Sequence, residues 1–156
     1  MHFVARYSQF KGRALLTLQT LFMVTIIFYP FAKNLNNLFA LLGGIAFVLA
    51  LCIFTFAKKV LDSAFYALPE PKSGAPLITS GIYSIVRHPM YVSFLIGAVG
   101  IYMLKQNVIL LLLFLGLLLI LIAKYKYEDA LLINKWERAV EYQQSTPALF
   151  PIFKKK

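Results

Sequence analysis

Two long stretches without a charged side chain limit what this chain can fold into. Residues 14–31 and residues 38–57 contain no Asp, Glu, Lys or Arg. A helix needs about 20 apolar residues to cross the hydrocarbon layer of a membrane, and both stretches approach that length. Residues 90–104 and 108–123 are uncharged too, although shorter, and the polar residues 105–107 separate them. We therefore expect four membrane spans, the last two forming a helical hairpin.

The composition supports a membrane-embedded chain. Of its 156 residues, 60% are hydrophobic and 14% are charged, against about 45–50% and about 25% in ordinary soluble domains. Backbone groups in lipid must bond to one another, which leaves helices or closed barrels. Barrel strands alternate apolar and polar residues, and residues 108–123 do not. The sequence therefore predicts an all-α helical bundle that forms a single membrane-embedded domain over residues 1–156.

The basic residues are distributed very unequally between the two ends of the predicted spans. Four spans place the N-terminus, the middle loop and the C-terminus on one side, together with 14 of the 16 Lys and Arg residues and all six acidic residues. Only Lys33 and Lys105 fall on the other side. Because basic loops stay in the cytosol, we expect a multi-pass protein whose active site faces the cytosol, in the plasma membrane or in the inner membrane of a bacterium.

The net charge of +10 suggests an anionic binding partner. Because the charges stand at the ends of apolar runs, anionic lipid headgroups are favoured over nucleic acid. Cys52 is the single cysteine and lies within an apolar run, so neither an internal disulfide nor a metal cluster is expected. The sequence points to no particular oligomeric state.

Two polar segments on the basic side are too long to be simple turns. Residues 58–88 contain several Pro and Gly residues and are expected to be mostly irregular. Residues 124–144 keep apolar residues at helical spacing, which predicts an amphipathic helix at the membrane surface. The pair Thr146 and Pro147 is expected to end that helix.

The tripeptide Arg87-His88-Pro89 stands at the start of the third predicted span. Proline is favoured at the first position of a helix, so Pro89 should open the span with His88 as its cap. The next amides, beginning with those of Met90 and Tyr91, would then be free donors that attract an anion such as a carboxylate. The alternative is that Arg87 and His88 are ordinary interfacial anchors.

A second polar group follows the fourth predicted span. Lys124 and Glu128 are four residues apart and share a helix face, and Asp129 comes next. Acidic residues beside a span can mark a functional site. The alternative is a surface ion pair worth about 0–1 kcal/mol.

Together these motifs resemble the isoprenylcysteine carboxyl methyltransferase and phospholipid methyltransferase superfamily. In that superfamily a Gly-x-Tyr and an Arg-His-Pro-x-Tyr precede two short spans, an acidic pair, and an amphipathic helix with a Tyr and a following Pro. The resemblance covers about residues 77–151, and the matching positions are Gly81, Tyr83, Arg87, His88, Pro89, Tyr91, Glu128, Asp129, Tyr142 and Pro151.

The resemblance implies S-adenosylmethionine as the cofactor. It implies that the cofactor is bound by Ala75, Pro76, Leu77, Ile78, Tyr83, His88, Pro89, Met90, Tyr91 and Glu128. It also gives Arg87 and Glu128 catalytic roles. Lys124 stands where the prenylcysteine enzymes have a basic residue that contacts the substrate carboxylate, which implies a substrate-binding role.

The chain departs from the superfamily pattern at three places. Asp129 replaces the second Glu of the acidic pair, and Lys124 replaces the substrate-contacting Arg. A Phe-Gly-x-x-Tyr motif is reduced to Trp136, with Ala139 in place of its Tyr. Lysine lacks the planar fork of arginine, so the acceptor is the feature most affected by these changes.

These features favour methyl transfer to a membrane-embedded acceptor, a lipid-like or prenylated molecule whose methylated group is a prenylcysteine-like carboxylate. A carboxylate is already ionised, and Lys124 or Arg87 would orient it. The alternative acceptor is a phospholipid amine, for which His88 or Glu128 must act as a base. Two further alternatives are a non-catalytic small membrane protein and a nicotinamide-dependent membrane reductase, which binding of adenosylmethionine or NADPH would distinguish.

Overall fold

The computed structural model describes residues 2–33, 36–62 and 74–150. All regular secondary structure within these residues is helical, which confirms the predicted all-α class. The helices are α1 (His2–Phe28), α2 (Asn37–Leu61), a short 3-10 helix (Gly81–Ser84), α3 (Pro89–Lys105), α4 (Ile109–Lys135) and α5 (Arg138–Ser145).

Three of these helices are long and apolar enough to cross a membrane. The mean hydropathy is 1.3 for Phe10–Phe28 of α1, 2.6 for α2 and 2.4 for α4. Only 11–22% of the residues in their apolar windows are buried inside the protein. Leucine, isoleucine and phenylalanine side chains therefore face outward along most of their length, as expected where lipid is the surrounding solvent.

Helix α3 is apolar but has only 17 residues, fewer than a usual span. It is the inner helix of the bundle, and it packs against α2 most extensively and against α1 and α4 as well. Its Leu95 and Ala98 join Leu117 and Leu121 of α4 and Ile26 of α1 in one core. The third predicted span is thus a helix covered by its neighbours.

Small residues bring α2 and α3 into backbone contact. A Cβ atom added at Gly43 would lie 2.7 Å from the carbonyl oxygen of Gly100, and one at Gly100 would lie 2.8 Å from the amide of Phe47. Helices in lipid associate through such close approach because no hydrophobic effect separates apolar side chains from lipid tails. This packing holds α3 against α2 beneath the candidate active site.

Side chains and backbone close the bundle at the end away from the 3-10 helix. The ammonium of Lys105 donates to the carbonyls of Ile27 and Tyr29 and so satisfies the C-terminus of α1. Gln106 adopts a left-handed conformation, with φ of 53°, that ends α3. Its side chain also bonds in both directions with the backbone of Asn36, at 2.8 and 2.7 Å. The α1–α2 connection and the α3–α4 turn are thereby joined.

The structure divides residues 124–144 between helices differently from the sequence prediction. The structure continues α4 without interruption through residues 124–135, and the chain breaks only at Trp136, before α5. The predicted amphipathic helix over residues 124–144 is therefore the last three turns of α4 followed by a separate eight-residue helix. The reason is local: residues 124–135 contain no Gly or Pro that would end a helix.

Candidate active site

A cavity of about 290 Å³ lies at the end of the bundle where α3 begins and α4 leaves its apolar segment. Every site residue predicted from the sequence lines it: Ala75, Pro76, Leu77, Ile78, Tyr83, Arg87, His88, Pro89, Met90, Tyr91, Lys124 and Glu128. The structure thus brings together two segments that are separated in sequence by the α3–α4 hairpin.

The start of α3 fixes the position of His88. Pro89 occupies the first turn of the helix and His88 is its N-cap residue, as predicted. The backbone amides of Arg87 and His88 donate to the carbonyls of Pro147 and Ala148, at 2.9 and 3.0 Å. These bonds hold the entry to α3 against the segment that follows α5.

Two of the amides that were expected to be free at this helix N-terminus have partners. The amides of Tyr91 and Val92 both donate to the carbonyl of His88, at 3.0 and 3.2 Å. His88 also makes no side-chain capping bond, because its ring turns toward α4 instead. The prediction of a backbone anion site is therefore wrong for these two amides, and the charged groups that line the cavity are side chains.

The imidazole of His88 lies between two carboxylates of α4. Its Nε2 is 2.9 Å from Oδ1 of Asp129, and its Nδ1 is 3.4 Å from Oε2 of Glu128. The ring also stacks on Tyr91, with 5.2 Å between ring centroids and an interplanar angle of 3°. Consecutive acidic residues on α4 thus hold both nitrogens of one histidine.

This arrangement favours the protonated form of His88. Burial alone lowers the pKa of a histidine, but the hydrogen bonds and charges of Asp129 and Glu128 outweigh it and raise the pKa of His88 to about 9. At neutral pH both ring nitrogens therefore carry protons and donate. The site contains an imidazolium between two carboxylates.

The guanidinium of Arg87 is committed to interactions within the protein. Its Nη2 lies 2.6 Å from Oδ2 of Asp129, and its Nε lies 3.4 Å from the other oxygen of that carboxylate. Its Nη1 donates to the carbonyls of Gln143 and Thr146, the first at 2.9 Å. These four contacts leave one of its five N–H groups for any other partner. A direct contact between Arg87 and a reacting group stays a prediction.

Asp129 is therefore the central acceptor of this end of the bundle. Its side chain binds both Arg87 and His88, and its backbone carbonyl accepts a bond of 2.8 Å from the amide of Gln143. Asp129 stands where the superfamily pattern has glutamate, so its side chain is one methylene shorter. The geometry shows that aspartate reaches both cations from α4.

Glu128 presents the accessible carboxylate of the pair. The hydroxyl of Tyr91 donates to its Oε2 at 2.7 Å, and 27% of its side chain is exposed, compared with 10% for Asp129. Glu128 lines the cavity, whereas Asp129 lies behind His88. The two acids thus divide between a cavity-facing position and a supporting one.

Lys124 points inward from α4 and lines the same cavity. Its side chain is buried, its Nζ donates to Oε1 of Gln19 at 2.7 Å, and it lies 5.2 Å from the centre of the Tyr91 ring. This position contradicts the alternative of a surface ion pair between Lys124 and Glu128, since the ammonium is buried and bonded to α1.

Aromatic and apolar residues form the remaining wall. Tyr83 of the 3-10 helix is buried, and its carbonyl accepts a bond of 2.6 Å from the hydroxyl of Tyr142 on α5. Burial raises the pKa of both phenols, so both are neutral. Residues 75–78 have no regular structure and line the cavity as well. The site therefore combines charged groups from α4 and from the start of α3 with a largely apolar remaining wall.

Sequence reasoning missed several cavity residues. Gln19 and Leu16 come from α1, and Phe54, Leu61, Phe94 and Leu132 come from α2, α3 and α4. The single signal for Gln19 was an amide within an otherwise apolar run, and the others read as ordinary span residues. Pro151, part of the predicted pattern, lies outside the described residues.

A membrane-embedded helical bundle with a charged cavity at one end is the class of protein that these features define. Among known families, residues 38–139 match the family described as "Phospholipid methyltransferase". That range is more than half of the chain, so the protein belongs to this family of membrane methyltransferases. The family part of the resemblance seen in the sequence is thereby confirmed.

Two curated proteins are similar over part of the chain. The "Cobalt-zinc-cadmium resistance protein CzcN" of Cupriavidus metallidurans is 37% identical over 76 residues, which cover 48% of this chain and 35% of that protein. The "Nickel-cobalt-cadmium resistance protein NccN" of Alcaligenes xylosoxydans xylosoxydans is 35% identical over 81 residues, 51% of this chain and 38% of that protein. The chain thus matches little more than a third of either relative's length.

Proposed function

We propose that the protein transfers a methyl group from S-adenosylmethionine to the carboxylate of a lipid-like acceptor, such as a prenylcysteine. One observation carries the proposal. The Arg-His-Pro-x-Tyr segment and the acidic pair line a single cavity, and the inward-pointing Lys124 lines it with them. Membership of a methyltransferase family supports the reaction class.

The cavity residues suit the chemical groups of the cofactor. A carboxylate at Glu128 is an acceptor for hydroxyl or ammonium groups, and the rings of Tyr83, Tyr91 and Trp136 favour a neighbouring cation. We place the cofactor against Glu128, His88 and residues 75–78. When bound, S-adenosylmethionine supplies a methyl group on a sulfonium, whose bonding electron pair stays on sulfur, so the acceptor needs only an ionised oxygen in line.

Lys124 supplies the cation that the acceptor requires. Its ammonium is buried beside the cavity, where solvent screens it little, and so it attracts a carboxylate more strongly than a surface lysine does. It would also repel the ammonium of an amine headgroup. An in-line displacement is accelerated mainly by holding the acceptor oxygen in the correct position relative to the methyl group.

The state of His88 argues against an amine acceptor. An ammonium must lose a proton before it can be methylated, and a base is needed to take it. His88 already carries both protons at neutral pH because two carboxylates face its two nitrogens. Glu128 would remain as the base for the alternative, phospholipid N-methylation. For Arg87 we propose a positioning role, exerted through Asp129.

The proposed orientation places the cavity on the cytosolic side. Among the described residues, the basic side chains cluster at the cavity end, whereas Lys33 and Lys105 lie at the closed end. The other basic side chains of the predicted cytosolic side, those of Arg6, Lys72 and residues 154–156, are not among the side chains that the structure describes. A soluble cofactor would then enter from the cytosol, and a lipid tail would enter between the helices.

Labelled-methyl transfer and cofactor binding test the proposal. The purified protein in nanodiscs should bind S-adenosylmethionine and S-adenosylhomocysteine in calorimetry, and Glu128→Gln should weaken both by about tenfold or more through loss of a charge-assisted bond. The parent should transfer label to farnesylcysteine in preference to phosphatidylethanolamine.

A matched control is Glu141→Gln, because Glu141 is an exposed acid on α5 that does not line this cavity. It should bind the cofactor as the parent does. Absence of cofactor binding by the parent would reject the methyltransferase assignment. Transfer of label to phosphatidylethanolamine alone would reject the carboxylate acceptor and retain the enzyme class.

A further inference from the structure

A polar side chain of α1 reaches the cavity from outside the family-matched region. Gln19 lies in the uncharged stretch of α1, whereas the family match begins at residue 38. It is 5% exposed and lines the cavity together with Lys124. A buried amide within an apolar helix is costly unless its polar atoms are satisfied, so each of its atoms needs a partner.

The orientation of the Gln19 amide follows from its neighbour. A protonated lysine nitrogen has only donors, so the atom 2.7 Å from Nζ of Lys124 must be the amide oxygen. The amide nitrogen is therefore not the atom bonded to the lysine. Within the described part of the chain its hydrogen-bonding contact is the sulfur of Met23, 3.9 Å away, and a thioether is a weak acceptor. Two amide hydrogens therefore lack a strong partner in a buried position.

We infer that Gln19 and Lys124 together form the subsite for the oxygen anion of the methyl acceptor, with the amide nitrogen and the ammonium as its two donors. The inference rests on the proposed function and adds a residue that the family pattern does not contain. Gln19 has two tasks in this subsite: its oxygen holds the lysine in place, and its nitrogen donates to the acceptor. Helix α1 thereby takes part in choosing the acceptor.

The subsite predicts a preference among lipids that share one tail. A carboxylate receives both donors, an alcohol receives them without charge attraction, and an ammonium is repelled by Lys124. Replacing Gln19 by Leu removes the amide donor and frees the lysine. Replacing Gln19 by Glu keeps the shape of the side chain and its bond to Lys124. The carboxylate of that glutamate neutralises the charge of the lysine and replaces the amide donor by an acceptor. The two variants therefore change the preference in different ways.

Equilibrium binding of tritiated oleate to the full chain in nanodiscs, with saturating S-adenosylhomocysteine to prevent turnover, tests the subsite. Oleyl alcohol and oleylamine serve as competitors. The parent should prefer oleate, and Gln19→Leu should lower the affinity for oleate by about tenfold and the affinity for oleyl alcohol by less, because only the bond to the carboxylate is charge-assisted. Gln19→Glu should bind oleylamine more tightly than oleate. Thr20→Val is the matched control, since the exposed Thr20 bonds only to its own helix, at Leu16, among the residues described.

The outcomes separate this inference from the proposed function. Calorimetry with S-adenosylhomocysteine reports on folding and on the cofactor site in every variant. Normal cofactor binding together with parental oleate affinity in Gln19→Leu would overturn the subsite and leave the methyltransferase proposal intact. If Gln19→Leu fails to fold, the nearly isosteric Gln19→Glu decides, and a preference for oleate in that variant overturns the subsite.

Discussion

The imidazole of His88 and the carboxylate of Asp129 lie 2.9 Å apart although 41 positions separate them in the chain. The bond connects the residue before α3 to a residue near the end of α4. Because Arg87 binds the same carboxylate, one aspartate bridges two neighbouring cations. This buried ion cluster has consequences for stability as well as for the site.

The stability of the protein should depend on the protonation of His88. Its pKa is raised from about 6.5 to about 9 in the folded protein, so the ion cluster contributes fully below pH 6.5 and is lost as the pH rises through 9. The difference corresponds to about 3 kcal/mol at most. Thermal unfolding in detergent should therefore show a larger gap between the parent and His88→Gln at pH 6.5 than at pH 9.5. A constant gap across this window contradicts the cluster.

Substitution of Lys124 should affect the acceptor and spare the cofactor. Lys124→Ala removes the buried ammonium, and we expect methyl transfer to farnesylcysteine to fall about tenfold or more in kcat/KM. Lys124→Arg keeps the charge and should retain part of the activity. Affinity for S-adenosylmethionine should stay within about twofold in both variants.

The exposed Lys126, two positions along the same helix, provides the control for that experiment. Lys126→Ala changes the net charge equally and should turn over as the parent does. Equal activity of Lys124→Ala and the parent would show that the lysine does not orient the acceptor.

The contact between α2 and α3 should tolerate no added atoms at Gly43. A methyl group there meets the backbone of Gly100 and Leu104 at 2.7 Å. Gly43→Ala should lower stability by about 1–3 kcal/mol through overpacking. Gly44→Ala is the paired control because its nearest neighbour is a side-chain atom of Leu104 at 3.9 Å. Equal melting temperatures for the two variants would mean that the helices can separate at no cost.

The orientation in the membrane can be measured with single cysteines. In a Cys52→Ser background, Val108→Cys places a thiol in the exposed α3–α4 turn and Glu141→Cys places one on exposed α5. An impermeant maleimide applied to intact cells should label position 108 and not position 141. The reverse pattern would invert the predicted topology.

Local sequence rules predicted much of the site because its anchors are local features. Pro89 opens α3 as a proline at that position should, and the acidic pair follows the apolar part of α4 at the distance that the resemblance required. The partners of Arg87 could not be predicted this way. They include backbone carbonyls of Gln143 and Thr146, more than 50 positions away, which only the folded chain brings close.

Two other features, the break between α4 and α5 and the role of Gln19, were not predicted from the sequence, for different physical reasons. Residues 124–144 were predicted as one amphipathic helix that is separate from the fourth span. Residues 124–135, which remain good helix formers, instead continue α4, and the break comes at Trp136. Gln19 was passed over because a lone amide does not disturb the pattern of an apolar span. Its meaning depends on which residue of another helix it faces, here Lys124.

The bonds of Lys105 and Gln106 join α1, α2 and α3 at the end opposite the cavity. At the cavity end, polar bonds join α1 to α4 through Gln19 and Lys124, and the start of α3 to α4 through His88 and Asp129. Among the described residues the bundle is therefore cross-linked at both ends, and side-chain packing holds the apolar middle between them. A lipid tail that enters between the helices should do so through this middle, since opening is easiest where fewest bonds must break.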